Sequence, residues 1–284
     1  MVKKGKGRFY IMEFMDTMKG RDNLLIIDLL NLSFRFKYAN KKNFAAELIS
    51  TIQSFARSYK ASQVIIACDW GSAWRKEIYP DYKANRVALR EKQTEAEADE
   101  FKEFLDEVGV ATELMQDMYT VFKFKGVEAD DIAAYIIKHY KDRYAHSWLI
   151  STDKDWDLLI ADNVSRFAYT SRKEITLNTW DQFYDYAPEQ HISIKVIMGD
   201  KGDNVPGVDG IGEKRANTIL RDYETAYDVY ASLPIESKYK YIQNLNGFGE
   251  QLLLNYELMD LLTYCEDAIG KDNIIEIDEV LNDS

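Results

Sequence analysis

Three stretches of the chain are apolar almost without interruption and end on an acid: LLIID at 24–28, QVIIACD at 63–69 and SWLISTD at 147–153. Runs of this length without polar alternation suit strands covered on both faces, as in a parallel sheet. Between them the period changes to that of a helix. Phe44, Leu48, Ile52 and Phe55 share one face of residues 44–59, and residues 128–141 open on acids and continue with helical spacing. Strands alternating with helices predict an α/β fold with a parallel central sheet flanked by helices. Ligands of such sheets bind beyond the carboxyl ends of the strands, where Asp28, Asp69 and Asp153 lie.

The rest of the chain divides around this core. Residues 1–22 read as a loosely held arm, 23–186 as the core, and 187–284 as a mainly helical region punctuated by NVPGVDGIG. An insertion fills 71–117. Its first half, WRKEIYPDYKANRVALREK, is basic and aromatic, and its second half, TEAEADEFKEFLDEV, is an acidic helix pattern. A structureless loop of that length is uncommon, so the insertion is expected to be helical and functional.

Composition narrows the class. No apolar run approaches the ~18 residues of a membrane span, and the basic start lacks the apolar region of a signal peptide. Two cysteines, Cys68 and Cys265, are too few for a disulfide framework. A cytoplasmic monomer with no membrane partner is expected. The net charge of −12 argues at first against a nucleic-acid partner. That acidity is segregated: residues 93–117 carry nine acids and one Lys, and 266–284 carry seven acids and one Lys, so the remainder is net positive. An electropositive substrate face is compatible with such a distribution.

Nine carboxylates stand at the strand ends and in the turns: Asp28, Asp69, Glu128, Asp130, Asp131, Asp153, Asp155, Asp200 and Asp203. Singly, each has a plain structural role open to it; Asp28 can cap a helix, and Glu128 and Asp131 suit a helix N-terminus. Jointly they demand cations, because two like charges about 4 Å apart repel by about 1 kcal/mol in water and several-fold more near a protein interior. Glu128 and Asp131 share a helix face at i, i+3. Asp153 and Asp155 would point the same way from an extended backbone, whereas Asp157 reads as structural. All-oxygen donors select Mg²⁺ or Mn²⁺. His139, His146 and His191 show no ligand spacing and read as ordinary helix or surface residues, and no phosphate-binding GxxxxGK[ST] loop occurs.

Two further runs suggest phosphate binding. In GVDGIGEKRA (207–216), Gly207, Gly210 and Gly212 permit close backbone approach to an anion, and Lys214 and Arg215 follow at once. A plain helix–helix turn is the alternative. In YPDYKANR (79–86), Lys83 and Arg86 lie i, i+3 beside Tyr82. Cations beside an aromatic can grip a phosphate and stack a base, although a solvated basic face has the same composition.

Together, IIDLLN, WRKEIYPDYKANR, GVEADD, STDKDWD and MGDKGDNVPGVDGIGEKRA resemble the 5′-nuclease family: flap endonucleases, above all the stand-alone enzymes of tailed bacteriophages, and the 5′-nuclease domain of bacterial DNA polymerase I. The resemblance covers residues 23 to 221 and weakens towards 265. It implies a PIN-like sheet, a helical arch and a helix–hairpin–helix element. It implies a first metal cluster of Asp28, Asp69, Glu128, Asp130 and Asp131, and a second of Asp153, Asp155, Asp200 and Asp203. Lys83 and Arg86 would contact the scissile phosphate, and Tyr82 would stack a base. Gly207, Gly210, Gly212, Lys214 and Arg215 would bind DNA, with a monovalent cation at the hairpin. Two or more Mg²⁺ or Mn²⁺ ions, a branched or 5′-flap DNA substrate, a replicative polymerase partner, and 5′-phosphate and 3′-hydroxyl products complete the expectation. A PIN-type ribonuclease would be shorter and lack the hairpin, and an inactive DNA-binding protein would lack ligands of the second cluster.

Overall fold

The computed structural model describes residues 22–283, so the expected arm lies outside the described residues except for Asp22. Six strands form one sheet: β1 (Asn23–Asp28), β2 (Ala61–Ala67), β3 (Thr120–Phe122), β4 (Ser147–Ile150), β5 (Val164–Ala168) and β6 (Lys173–Ile175), ordered β3-β2-β1-β4-β5-β6. All neighbours pair in parallel except β5 with β6. The helices are α1 (Leu29–Tyr38), α2 (Ala45–Ser58), α3 (Ala73–Ile78), α4 (Ala84–Arg90), α5 (Glu95–Gln116), α6 (Ala129–Tyr140), α7 (His191–Met198), α8 (Glu213–Tyr223), α9 (Ala226–Ala231), α10 (Lys240–Asn246), α11 (Gly249–Met259), α12 (Leu261–Ile269) and α13 (Lys271–Asn282). Among the described residues no helix is long and apolar enough to cross a membrane.

The uninterrupted apolar strands have the expected cause. Leu24, Ile26, Ile65 and Leu149 join a core with Ile132 of α6, Leu261 of α12 and Ile277 of α13. Leu25, Ile27, Val64 and Ile66 join the opposite core with Leu32, Leu48, Ile52 and Met115 of α1, α2 and α5. Each of these side chains, fully buried, contributes about 1.5–3 kcal/mol. A separate core formed by α7–α11 gathers Ile194, Val208, Ala216, Leu245 and Leu252 beside the sheet.

Three strands escape the hydrophobic pattern. β3 is only three residues long, β5 carries the buried Arg166, and β6 is a largely exposed antiparallel edge. The sheet is therefore mixed rather than wholly parallel. The acidic half of the 71–117 insertion also departs from a free-standing arch. In α5, Phe104, Ala111, Thr112 and Met115 are buried, and Glu107 accepts from the Ala45 amide at 2.9 Å. Half of this helix belongs to the core layer. Both cysteines are buried free thiols.

Candidate active site

The strand ends and the start of α6 converge at one edge of the sheet. Asp28 ends β1 and caps α1, accepting from the Asn31 amide at 3.2 Å and from Ser151 Oγ at 2.7 Å. Asp69 follows β2 and accepts from the Ala129 amide at 3.0 Å, where α6 begins. Glu128 is the N-cap of α6, and Asp130 and Asp131 lie in its first turn. Asp130 accepts from Trp156 Nε1 at 2.5 Å.

Electrostatics separate these five acids. Desolvation raises Asp28 well above the usual carboxylate range, and repulsion from Asp69 adds to it. Asp130 is likewise raised well above that range by desolvation and by Asp153, Asp69 and Asp28. Asp69 is raised mainly by burial, with its backbone hydrogen bond opposing. Arg75, itself 3% exposed, instead bridges the other two: its Nη1 donates to Glu128 at 2.9 Å and to Asp131 at 2.7 Å, and Nη2 donates to Asp131 at 2.7 Å. Burial alone would raise Glu128, yet Arg75 and Lys83 outweigh it and hold Glu128 below its ordinary value. At Asp131 burial outweighs Arg75.

The second group surrounds Lys195 of α7. Its Nζ lies 2.6 Å from Asp155 and 3.9 Å from Asp200. Asp153 and Asp155 do not extend in parallel as expected. Asp153 caps a 3₁₀ turn at 154–159 and accepts from the Asp155 amide at 2.9 Å, because the local amides lack other acceptors there. Loss of hydration, then repulsion from Asp155, pushes Asp153 up to about 6. Asp200 bends its own loop, accepting from the amides of Gly202 at 2.6 Å and Asp203 at 3.2 Å. Asp157 is structural: Arg166 grips it at 2.6 and 2.7 Å, and Tyr184 donates to it at 2.5 Å.

The YKANR turn closes over both groups. Lys83 pairs with Glu128 and lies 3.6 Å from Asp203, while Arg86 lies 2.5 Å from Asp203. Lys83 has a left-handed backbone (φ 57°), held by its amide donating to the Asp203 carbonyl at 2.8 Å. Asn85 donates to the Lys201 carbonyl at 2.8 Å, and Asn204 to that of Asp81 at 2.8 Å. Two motifs about 120 residues apart are thereby zipped together. Arg75, Lys195, Asn85 and Asn204 were all missed as site residues. For Lys195 a signal existed: it is the one Lys, Arg, Asp or Glu in the apolar helix HISIKVIM.

Other expected residues stand differently. Tyr82 is 4% exposed, packed with Val205, Leu258 and Met259, and its hydroxyl donates to Asp203 at 2.9 Å; no base reaches its ring in this arrangement. Gly207 is needed for packing: a Cβ there would lie 1.8 Å from the Met198 carbonyl oxygen. Gly210 (φ 81°) has its carbonyl occupied by Arg215, whose guanidinium also lies 4.6 Å from the Tyr241 ring. Gly212 caps α8 in open space, beside the exposed Lys214. His191, expected to be ordinary, is buried among Trp180, Tyr184 and Tyr186.

Among the described residues, no three His, Cys, Asp or Glu side chains stand close enough as arranged to hold an ion. Arg75, Lys83, Arg86 and Lys195 reach between the acids instead.

Comparison with known proteins agrees with this architecture. The 5′-3′ exonuclease N-terminal resolvase-like domain matches residues 23–185, and the 5′-3′ exonuclease C-terminal SAM fold matches 186–278. The flap endonuclease of Escherichia phage T5 is 46% identical over 272 residues, covering 95% of this chain and 93% of that protein. A 5′-3′ exonuclease of Halalkalibacterium halodurans is 28% identical over 266 residues, covering 86% and 84%. A structure of the T5 5′-exonuclease with zinc ions bound superposes with a TM-score of 0.89 at 45% identity, covering 92% of this chain and 98% of that one. Matched along both its halves, this chain belongs to the 5′-3′ exonuclease family and is a nuclease that hydrolyses DNA phosphodiester bonds.

Proposed function

We propose that this chain recognises the junction between a duplex and an unpaired 5′ strand and hydrolyses a phosphodiester beside it, using divalent cations held by the nine carboxylates. The observation that carries this reading is the trio Asp28, Asp69 and Asp130, which are desolvated and mutually repelling and have no Lys or Arg within ion-pairing distance among the described residues. An all-oxygen donor set suits Mg²⁺ or Mn²⁺. Asp28, Asp69 and Asp130, with Glu128 and Asp131 beside them, would hold one ion; Asp153, Asp155, Asp200 and Asp203 would hold the second. Bound there, such ions activate water and stabilise a leaving oxygen.

The protein's own groups position the strand. Lys83 and Arg86 now spend their charge on Glu128 and Asp203. Freed from those acids, they sit where a scissile phosphate would cross the sheet edge, and a cation fixed there favours the more charged transition state. Lys214 and the helix N-terminus at Gly212 would hold the duplex backbone without reading its sequence. Tyr82 could stack a base only after its packing opens. A monomer working in the cytoplasm beside a replicative polymerase is the setting we propose, with light scattering as the check on mass.

A labelled 5′-flap incubated with the protein tests the reading. Cleavage near the junction in Mg²⁺, abolished by EDTA, is expected; an uncut flap, or equal cleavage in EDTA, overturns it.

A further inference from the structure

Trp70 directly follows Asp69, yet nothing in the site described above uses it. It is 53% exposed, whereas Trp74, Trp148, Trp156 and Trp180 are all partly or fully buried. An indole left this open forgoes burial that would stabilise the fold by roughly 1.5–3 kcal/mol for a large apolar side chain.

The loop that carries it is rigid. The Trp70 amide donates to the Val127 carbonyl at 2.9 Å, and the Gly126 amide donates to the Trp70 carbonyl at 2.7 Å. Gly71 (φ 106°) and Gly126 (φ 83°) let two backbone segments meet, since a Cβ on Gly71 would lie 3.4 Å from Gly126 Cα. A Cβ on Gly126 would lie 2.7 Å from that of Ala73. Beside the indole stands a cation: Lys123 Nζ lies 5.5 Å from its ring centroid, and Lys125 is exposed two residues on.

From these residues we infer that Trp70, with Lys123 and Lys125, is a binding site for one unpaired nucleobase of the DNA strand passing the carboxylate cluster. The inference rests on the nuclease reading above. An exposed aromatic face flanked by cations is the usual platform for single-stranded nucleic acid, because every base offers a π-face and the adjacent phosphate a negative charge. A base within duplex has both faces already stacked, so the site selects the unpaired strand. The braced backbone means that little conformational freedom is lost on stacking. Asp69, the neighbouring residue, places that nucleotide next to the reacting phosphate.

The test is a steady-state comparison in Mg²⁺ of the wild-type protein, Trp70→Ala and Trp70→Phe. The substrates are an intact 5′-flap and a set carrying a single abasic residue at each unpaired nucleotide near the junction. One abasic position should raise the wild-type KM about fivefold or more, the lower end for one base–aromatic stack. Trp70→Ala should raise KM on the intact flap by a similar factor with a smaller change in kcat, Trp70→Phe should recover part of it, and the abasic residue should cost Trp70→Ala nothing further. Wild-type indifference to every abasic position overturns the proposal, and this arm holds even if Trp70→Ala fails to fold. Penalties that multiply in the variant overturn it too, leaving Trp70 as a cover for Lys123. In either case the wild-type protein still cuts the intact flap, so the nuclease reading is judged separately.

Discussion

Two sets of acids on the same edge of the sheet are handled in opposite ways. Glu128 and Asp131 share a buried arginine, Arg75, whose Nε also donates to the Leu258 carbonyl at 2.8 Å, so the pair is tied to the helical region. Among the described residues, Asp28, Asp69 and Asp130 receive only neutral donors: Ser151, the Asn31 and Ala129 amides, and Trp156. The first set is already charge-matched by Arg75. The second is a set of like charges that burial makes expensive, and this contrast is what motivates the proposal that a cation binds there.

Breaking the unmatched set should cost activity and spare the fold. Asp130→Asn keeps an oxygen for Trp156 Nε1 but removes one anion. We expect cleavage to fall by about 10³-fold or more, since metal-assisted charge stabilisation supplies several kcal/mol. The melting temperature in EDTA should be unchanged or higher. A variant that melts markedly lower would show that Asp130 is structural.

The matched set should give the reverse in the same assay. Arg75→Met strands two buried carboxylates, at a cost of about 3–5 kcal/mol, which is roughly 6–10 °C in melting temperature for a chain of this size. Near-native melting would mean that water or Lys83 replaces the arginine, and the distinction between the sets would collapse.

Lys83 links Glu128 of the matched set to Asp203. Lys83→Ala should slow single-turnover cleavage about 10²–10³-fold, the scale for one preorganised electrostatic donor, while flap binding in Ca²⁺ changes much less. Lost binding with an unchanged chemical step would reduce Lys83 to a substrate grip.

The smallest effect concerns pH. Asp153 is raised to about 6 when folded, so its contribution to stability is fully present below its unfolded value and is lost as pH rises through about 6. In EDTA, the melting temperature of Asp153→Asn relative to wild type should therefore climb between about pH 4 and 6. Solvent screening limits the gain to about 1 kcal/mol, or ~2 °C. A flat difference would place Asp153 outside the charged cluster.

The ligand candidates were legible because a strand end fixes where its acid goes: Asp28, Asp69 and Asp153 had to emerge at one edge once their strands were parallel. Their partners were not. Arg75 reaches Asp131 across 56 residues and Lys195 reaches Asp155 across 40, and no local period encodes such pairs. Tyr82 shows the opposite failure. Its place beside Lys83 was visible in the motif, but its burial depends on Val205 and Leu258, far along the chain.

What the sequence determined by itself is what local physics dictates. Apolar runs such as LLIID commit to buried strands, amphipathic spacing commits α2 to packing one face, and Gly207 and Gly210 permit backbone paths that a Cβ would obstruct or strain. Only the tertiary structure decided which charges meet, because the energy of a buried ion pair depends on distance and local dielectric rather than on neighbours in sequence. Folding brought Arg75 to Glu128 and Asp131, Lys195 to Asp155, and the Lys83 turn onto Asp203, and among the described residues it left Asp28, Asp69 and Asp130 without such a partner.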